Sequence, residues 1–126
     1  MNNKAYFKPD FIKPVKWEQH IEDRYSSDPA IYVMYLQDDL DITNRCGKQT
    51  ILMKMEPGAT IDTAVAHEFY EYVVITNGCL LWKTSDNSYE PFSTGSRIER
   101  APGIYHGPFK ADPKLGCTMY VECYFK

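Results

Sequence analysis

The sequence predicts a single all-β domain, folded as a sandwich or a barrel. Its 126 residues match the size of one domain, and a composition that is 44% hydrophobic and 14% aromatic can form a core without disulfides or a structural metal. Turn-forming residues recur at short intervals, from Lys8–Asp10 to Lys110–Gly116. The segments between these turns have the composition and the period-two alternation of β-strands.

Four segments carry the clearest strand patterns, and they lie at Tyr32–Leu36, Thr50–Met55, Tyr70–Ile75 and Cys117–Phe125. The first and third are rich in β-branched and aromatic residues, which favour strands. In the second and fourth, apolar residues alternate with more polar ones, and a helix cannot use this period. The TNG sequence at Thr76–Gly78 predicts a turn after the third strand. A helical turn is expected, if anywhere, within Val15–Tyr25.

Charge and cysteine content exclude several functional classes. Fourteen basic and seventeen acidic residues give a net charge of -3 without a basic cluster, which argues against nucleic-acid binding. The four cysteines form no CxxC pair and no apolar signal segment precedes them, so we expect reduced thiols in a cytoplasmic protein. The longest apolar runs are too short to cross a membrane. The binding partners that remain are a small molecule or another protein.

A stretch near residue 100 resembles the second motif of the cupin superfamily, which has the form PxGxxH. Gly95, Gly103 and His106 stand at the family's spacing. The proline differs, because Pro102 lies one place late and Ala101 takes the family's proline position. In the family, this histidine points into the barrel as a metal ligand, and the resemblance implies the same role for His106.

An earlier stretch resembles the first cupin motif, in which HxH stands three or four residues before a glutamate. Glu71 and the closing glycine of the motif have the family's spacing, but only one histidine, His67, precedes the glutamate. With three intervening residues, His67 takes the second histidine's place and Val65 replaces the first. With four intervening residues, the two places hold Ala64 and Ala66.

Two observations favour different frames for this motif. In a regular strand His67, Phe69 and Glu71 share one face, which favours the three-residue frame and a set of three ligands. The spacing from Gly58 fits the four-residue frame better. Both frames stay open at this point, and we favour the first.

The resemblance covers most of the chain. Trp17, the YVMYLQDD segment, the EPGA turn and the pair Gly116 and Cys117 resemble the cupin domains of zinc-dependent anti-sigma factors and their stand-alone relatives. It implies one cupin jelly-roll β-barrel (double-stranded β-helix) over residues 1–126. Residues 1–30 would form an N-terminal arm that packs on the barrel or on a dimer partner, and a homodimer is expected.

The candidate site consists of His67, Glu71 and His106. Two imidazoles and one carboxylate can hold a divalent metal such as iron, manganese, nickel or zinc and leave coordination positions open. Glu71 and His106 are the candidate catalytic residues. Without metal, Glu71 inside an apolar barrel needs a donor such as an imidazole or a guanidinium, and it could then act with a histidine as acid and base.

Aromatic and branched residues near the motifs could wall a ligand pocket, although in a small barrel such residues more often fill the core. They are Phe69, Val73, Trp82 and Tyr105.

Arg97, Glu99 and Arg100 precede the APG turn. We expect them to form cross-strand pairs at the surface, with a bidentate anchor for a substrate carboxylate as the alternative.

The favoured functional prediction is a metal-dependent enzyme with dioxygenase-like chemistry on a small organic substrate. One alternative is a non-catalytic sensor or binding module for a small ligand or metal. A second alternative is a metal-free isomerase or epimerase that uses Glu71 and a histidine. Fold likeness cannot decide among these, because one fold hosts many activities.

Overall fold

The computed structural model describes residues 17–19, 28–84 and 86–126, and the regular structure of these residues consists of nine strands. The strands are β1 (Glu18–Gln19), β2 (Ile31–Asp38), β3 (Lys48–Met55), β4 (Thr60–Ile61), β5 (Tyr70–Lys83), β6 (Tyr89–Ser93), β7 (Arg97–Arg100), β8 (Phe109–Ala111) and β9 (Cys117–Tyr124). None of the described segments forms a helix of the length and hydrophobicity that crossing a membrane requires.

The N-terminal predictions fall mainly outside the described residues. Most of the arm expected at residues 1–30, and of the helical turn expected within Val15–Tyr25, belongs to the parts of the chain that the structure does not describe. The described residues 17–19 include β1, which pairs with β2. The arm and the homodimer stay predictions.

All strand pairs are antiparallel, and the order along the main path is β1-β2-β3-β9-β5-β8-β4. In addition, β6 and β7 both pair with β5. The first sheet combines β1, β2, β3, β9 and β7 with the first half of β5, and the second sheet combines β4, β8 and β6 with its second half. The result is the curled antiparallel jelly roll that the sequence predicts.

The long strand β5 belongs to both sheets, and the prediction of a turn at Thr76–Gly78 is wrong. A bulge between Ile75 and Asn77 shifts the register against β9, and the strand continues to Lys83. A bulge bends a strand without ending it, so polar and glycine residues here redirect the chain between the sheets. Residues that usually form a turn here form a bulge within a continuous strand.

Alternating burial confirms the other strand predictions. Along β9, buried and half-buried residues alternate over all eight positions. The barrel interior contains fully buried residues from three strands, namely Ile31, Val33, Met55 and Ile75. These apolar side chains supply the hydrophobic free energy that holds the two sheets together.

Close backbone packing at the bulge requires a glycine at position 78. Gly78 has a φ of +79°, and a Cβ there would lie 2.1 Å from the carbonyl oxygen of Gly116. That oxygen accepts a hydrogen bond from the Cys79 N–H at 3.0 Å. A side chain at position 78 would thus displace a backbone carbonyl that links two strands.

We expect Gly78→Ala to lower the free energy of unfolding by more than about 2 kcal/mol, because it adds this clash to the cost of a left-handed backbone for alanine. The control is Gly58→Ala, since Gly58 has the same φ of +79° and nothing within 4 Å of its Cβ position. The free energy of unfolding of this control should fall by only roughly 1–2 kcal/mol. Urea denaturation of both variants measures the difference, and equal losses would contradict the role of the Gly116 contact.

Candidate functional site

Glu71 lies near the start of β5 in the first sheet. Its strand register places it opposite Arg100 of β7 on one side and Cys123 of β9 on the other. All three residues line the same interior cavity. Pairing on both edges fixes the backbone of Glu71, so its carboxylate is held within the barrel by the sheet itself.

His67 and His106 lie in loops that backbone hydrogen bonds tie together. His67 precedes β5, and its carbonyl accepts from the Gly103 N–H at 2.9 Å. His106 lies between β7 and β8, and it exchanges two hydrogen bonds with Val65, at 2.8 and 2.9 Å. The loop after β7 is thus joined at two points to the loop before β5, which brings both imidazoles to Glu71.

The three side chains converge on one point. His67 Nε2 lies 3.8 Å from Glu71 Oε2, and His106 Nε2 lies 3.7 Å from Glu71 Oε1. One ligand atom from each of the three residues lies within 4.8 Å of the others. The side chains of His67, Glu71 and His106 are 17%, 12% and 7% exposed, so the cluster is largely shielded from solvent.

Burial favours the neutral form of His106, and its contact with the Ile104 carbonyl favours the proton on Nδ1. Its Nδ1–H donates to the carbonyl of Ile104 at 3.3 Å, which leaves the lone pair of Nε2 facing Glu71. Burial lowers the pKa of His106 because a charged imidazolium is poorly solvated inside the barrel, and this outweighs the opposing effect of the nearby Glu71. A neutral imidazole with a free Nε2 is the form that binds a metal.

The structure corrects the role expected for Arg100. Its side chain is only 8% exposed, and Nη1 donates to Glu71 Oε1 at 2.5 Å. The pair is cross-strand, as predicted, but it lies inside the barrel rather than at the surface. The alternation along β7 predicts the inward direction of Arg100, because Arg100 is two residues after the half-buried Ile98. Arg97 and Glu99 occupy the other positions and are exposed.

The cluster lies at one wall of an interior cavity of about 270 Å³, whose other walls are mostly apolar. Apolar side chains from β3, β5 and β9 line it, among them Ile51, Met53, Val73 and Val121. Phe69 also lines the cavity, and its ring stacks on His67 with 4.7 Å between centroids. Phe69 and Val73 therefore both line this cavity, and their role in binding a ligand stays a prediction.

Trp82 and Tyr105 are not among the described residues that line this cavity. Trp82 lies on β5 beyond the bulge, in the second sheet, where it packs on Phe92 and Phe109 with ring centroids 6.0 and 6.4 Å apart. Tyr105 is 72% exposed. It directly precedes the inward-facing His106, so its own side chain points outward. The direction of the backbone takes both residues away from this cavity, and Trp82 lines a separate pocket together with Pro108.

The cavity lining also distinguishes the two frames for the first motif. Val65 lines the cavity, whereas Ala64 and Ala66 are absent from the described residues that do so. His67 and Glu71 both face the cavity, although β5 begins only at Tyr70. This arrangement corresponds to the three-residue frame, in which Val65 occupies the place of the family's first histidine.

The donor set fits a divalent first-row metal ion. Two imidazole nitrogens and one carboxylate suit iron, manganese, nickel or zinc. Ligands of one such ion lie about 3 to 3.5 Å apart when metal–ligand distances are near 2.1 Å. The two histidines lie 3.7 and 3.8 Å from different oxygens of Glu71, and a set of one ligand atom per residue spans up to 4.8 Å, so the three side chains would move closer together on binding a metal. The Ile104 carbonyl supplies the outer hydrogen bond that orients a ligating histidine.

No family model matches the chain, and no curated protein matches it. Several solved structures do match it. The polyketide cyclase RemF from Streptomyces resistomycificus has a TM-score of 0.66 and 20% identity, over 86% of this chain and 72% of RemF. A cupin-like protein from Thermotoga maritima has a TM-score of 0.62 and 15% identity, over 82% of this chain and 74% of its own.

A third similar structure is that of the iron(II) protein HppE, with a TM-score of 0.63 and 10% identity, over 94% of this chain and 59% of HppE. Further matching structures are described as cupins. At these low identities the likeness shows the fold and not the activity. The chain is therefore a single-domain jelly roll with the fold of the cupin superfamily.

Proposed function

We propose that this protein is a metal-dependent cupin enzyme. His67, Glu71 and His106 would hold one divalent metal ion, and the adjoining cavity would bind a small organic substrate. A metal held this way supplies a Lewis acid with open coordination positions, which is the basis of dioxygenase-like chemistry in sites with two histidines and one carboxylate. The observation that carries the proposal is the convergence of three ligand atoms within 4.8 Å at the wall of an apolar cavity.

The residues around the cluster support a site that excludes water. The cavity, at about 270 Å³, is near the lower end of the range of roughly 300–1,000 Å³ typical of ligand sites. Its apolar walls would bind the hydrocarbon part of a substrate, and the largely buried candidate ligands leave little room for bulk solvent. The similar structures include the polyketide cyclase RemF and the iron(II) protein HppE, which supports an enzymatic role for this fold.

A metal-free isomerase or epimerase is the second candidate, and the Arg100 contact favours it. The guanidinium compensates the charge of Glu71 without a metal, and His106 Nε2 lies 3.7 Å from the same carboxylate oxygen. Glu71 and His106 could then act as base and acid. The remaining alternative, a non-catalytic sensor or binding module, rests on the sequence resemblance to anti-sigma cupin domains alone.

Metal binding is the first test of the proposal. Protein purified without an affinity tag, or reconstituted with iron, manganese, nickel or zinc, should hold close to one metal ion per chain. His106→Ala and Glu71→Ala should each weaken metal affinity by at least about 100-fold, because each removes one of three ligands. Plasma mass spectrometry and calorimetric titration measure both effects.

The matched control for Glu71→Ala is Glu99→Ala, since Glu99 is an exposed carboxylate on β7. It should bind metal as the wild type does. A wild-type protein that holds no metal after reconstitution would contradict the proposal, and so would unchanged affinity in both ligand variants. Turnover that survives exhaustive chelation would favour the metal-free isomerase or epimerase instead.

The protonation of His106 gives a second test, in the metal-free protein. Because burial lowers its pKa, His106 should titrate below the ordinary value of about 6.5 in an NMR experiment. The unfolded chain takes up this proton near pH 6.5 and the folded chain only at lower pH. The free energy of unfolding should therefore fall as the pH drops from about 6.5 towards the folded pKa, and this contribution should be constant above that window.

The control for this pH effect is His106→Gln, which should show a smaller fall in the free energy of unfolding between about pH 6.5 and pH 5. Denaturation at several pH values compares the two proteins. A midpoint for His106 above 6.5, or the same pH dependence in both proteins, would show that burial does not control this imidazole.

A further inference from the structure

We propose that Arg100 anchors the anionic group of the substrate, so that the cavity binds a small, mainly apolar carboxylate. This inference rests on the proposed function for the role of the cavity, and it adds the chemical class of the ligand. It concerns the part of the cluster that does not supply metal ligands.

The guanidinium of Arg100 has hydrogen-bonding capacity that the protein does not use. In the part of the chain that the structure describes, its one hydrogen bond runs from Nη1 to Glu71 Oε1. No enclosed side-chain nitrogen or oxygen of the described residues lacks a partner. The other N–H groups of this five-donor side chain therefore face open space, and Arg100 lines the cavity.

The charges of the site also favour an anion. Without metal, the carboxylate of Glu71 and the guanidinium of Arg100 compensate each other inside an apolar cavity. A divalent cation on His67, Glu71 and His106 would add two positive charges, because both imidazoles bind as neutral groups. Uncompensated charge in an apolar interior is costly, and an anionic ligand would reduce it.

The shape of the site selects a carboxylate with an apolar body. A planar guanidinium matches the two oxygens of a carboxylate. Arg100 lies over the ring of Phe109, with 5.6 Å between Cζ and the ring centroid, and this contact fixes its orientation. Beyond the cluster, the cavity is walled by Leu80, Met119 and other apolar side chains, which suit a hydrocarbon ring or branched chain.

The test uses metal-free protein, so that direct binding of a carboxylate to a metal cannot contribute. Glu71→Gln removes the negative charge that a bound metal would compensate, so that the cluster carries the net positive charge of Arg100 without any metal. The probes are benzoate and benzamide, which have similar shapes and differ in charge. We expect metal-free Glu71→Gln to bind benzoate at least about tenfold more tightly than benzamide, measured by calorimetry or NMR titration.

The double variant Glu71→Gln, Arg100→Gln should lose this preference, and Glu71→Gln, Arg97→Gln should keep it. Arg97 is the matched control because it is an exposed arginine on the same strand. If the first double variant does not fold, Glu71→Gln, Arg100→Met carries the same test with an apolar stem of similar length. Equal binding of the two probes by Glu71→Gln, or a benzoate preference that persists without Arg100, would overturn the proposal.

The failure of this inference and that of the proposed function give different results. If wild-type protein binds no metal but Glu71→Gln prefers benzoate through Arg100, the anion site stands and the metal-dependent enzyme does not. If the wild type binds one metal ion and the benzoate preference is missing, the metal site stands and the anionic substrate class is wrong.

Discussion

The ion pair between Glu71 and Arg100 is the interaction on which the interior of this barrel depends. A carboxylate that is 12% exposed and surrounded by apolar side chains is tolerated only with a charged partner close by. The partner is 2.5 Å away on the adjacent strand, in direct register. Because one strand pair supplies both charges, the barrel can close around a polar cluster, and the two histidines complete that cluster from neighbouring loops.

The bulge in β5 separates the part of the strand that carries Glu71 from the part that carries Trp82. Before the bulge, β5 carries Glu71 and pairs with β7 and β9. After it, the strand carries Trp82 and pairs with β6 and β8. A single strand thus serves both sheets. Gly78 permits this bend because it accepts both the left-handed backbone and the close approach of Gly116.

Much of the fold could be predicted from local pattern, since burial alternates along β9 as its apolar residues do. The convergence of His67, Glu71 and His106 could be predicted only by resemblance to a motif, because their spacing gives no direct measure of distance. Composition misled at Thr76–Gly78, where turn residues form a bulge. The inward direction of Arg100 was missed because charged strand residues usually face solvent, and the outward direction of Tyr105 depends on a loop that has no periodicity.

The loop pairing around Val65 has a consequence for how such a site can change. Val65 and His106 are joined through main-chain atoms, at 2.8 and 2.9 Å, so their relative position does not depend on the identity of the valine side chain. The backbone therefore presents a ready position for one more ligand beside the cluster. The number of candidate ligand side chains in this barrel can therefore rise or fall by exchange of a single residue, without rearrangement of the scaffold.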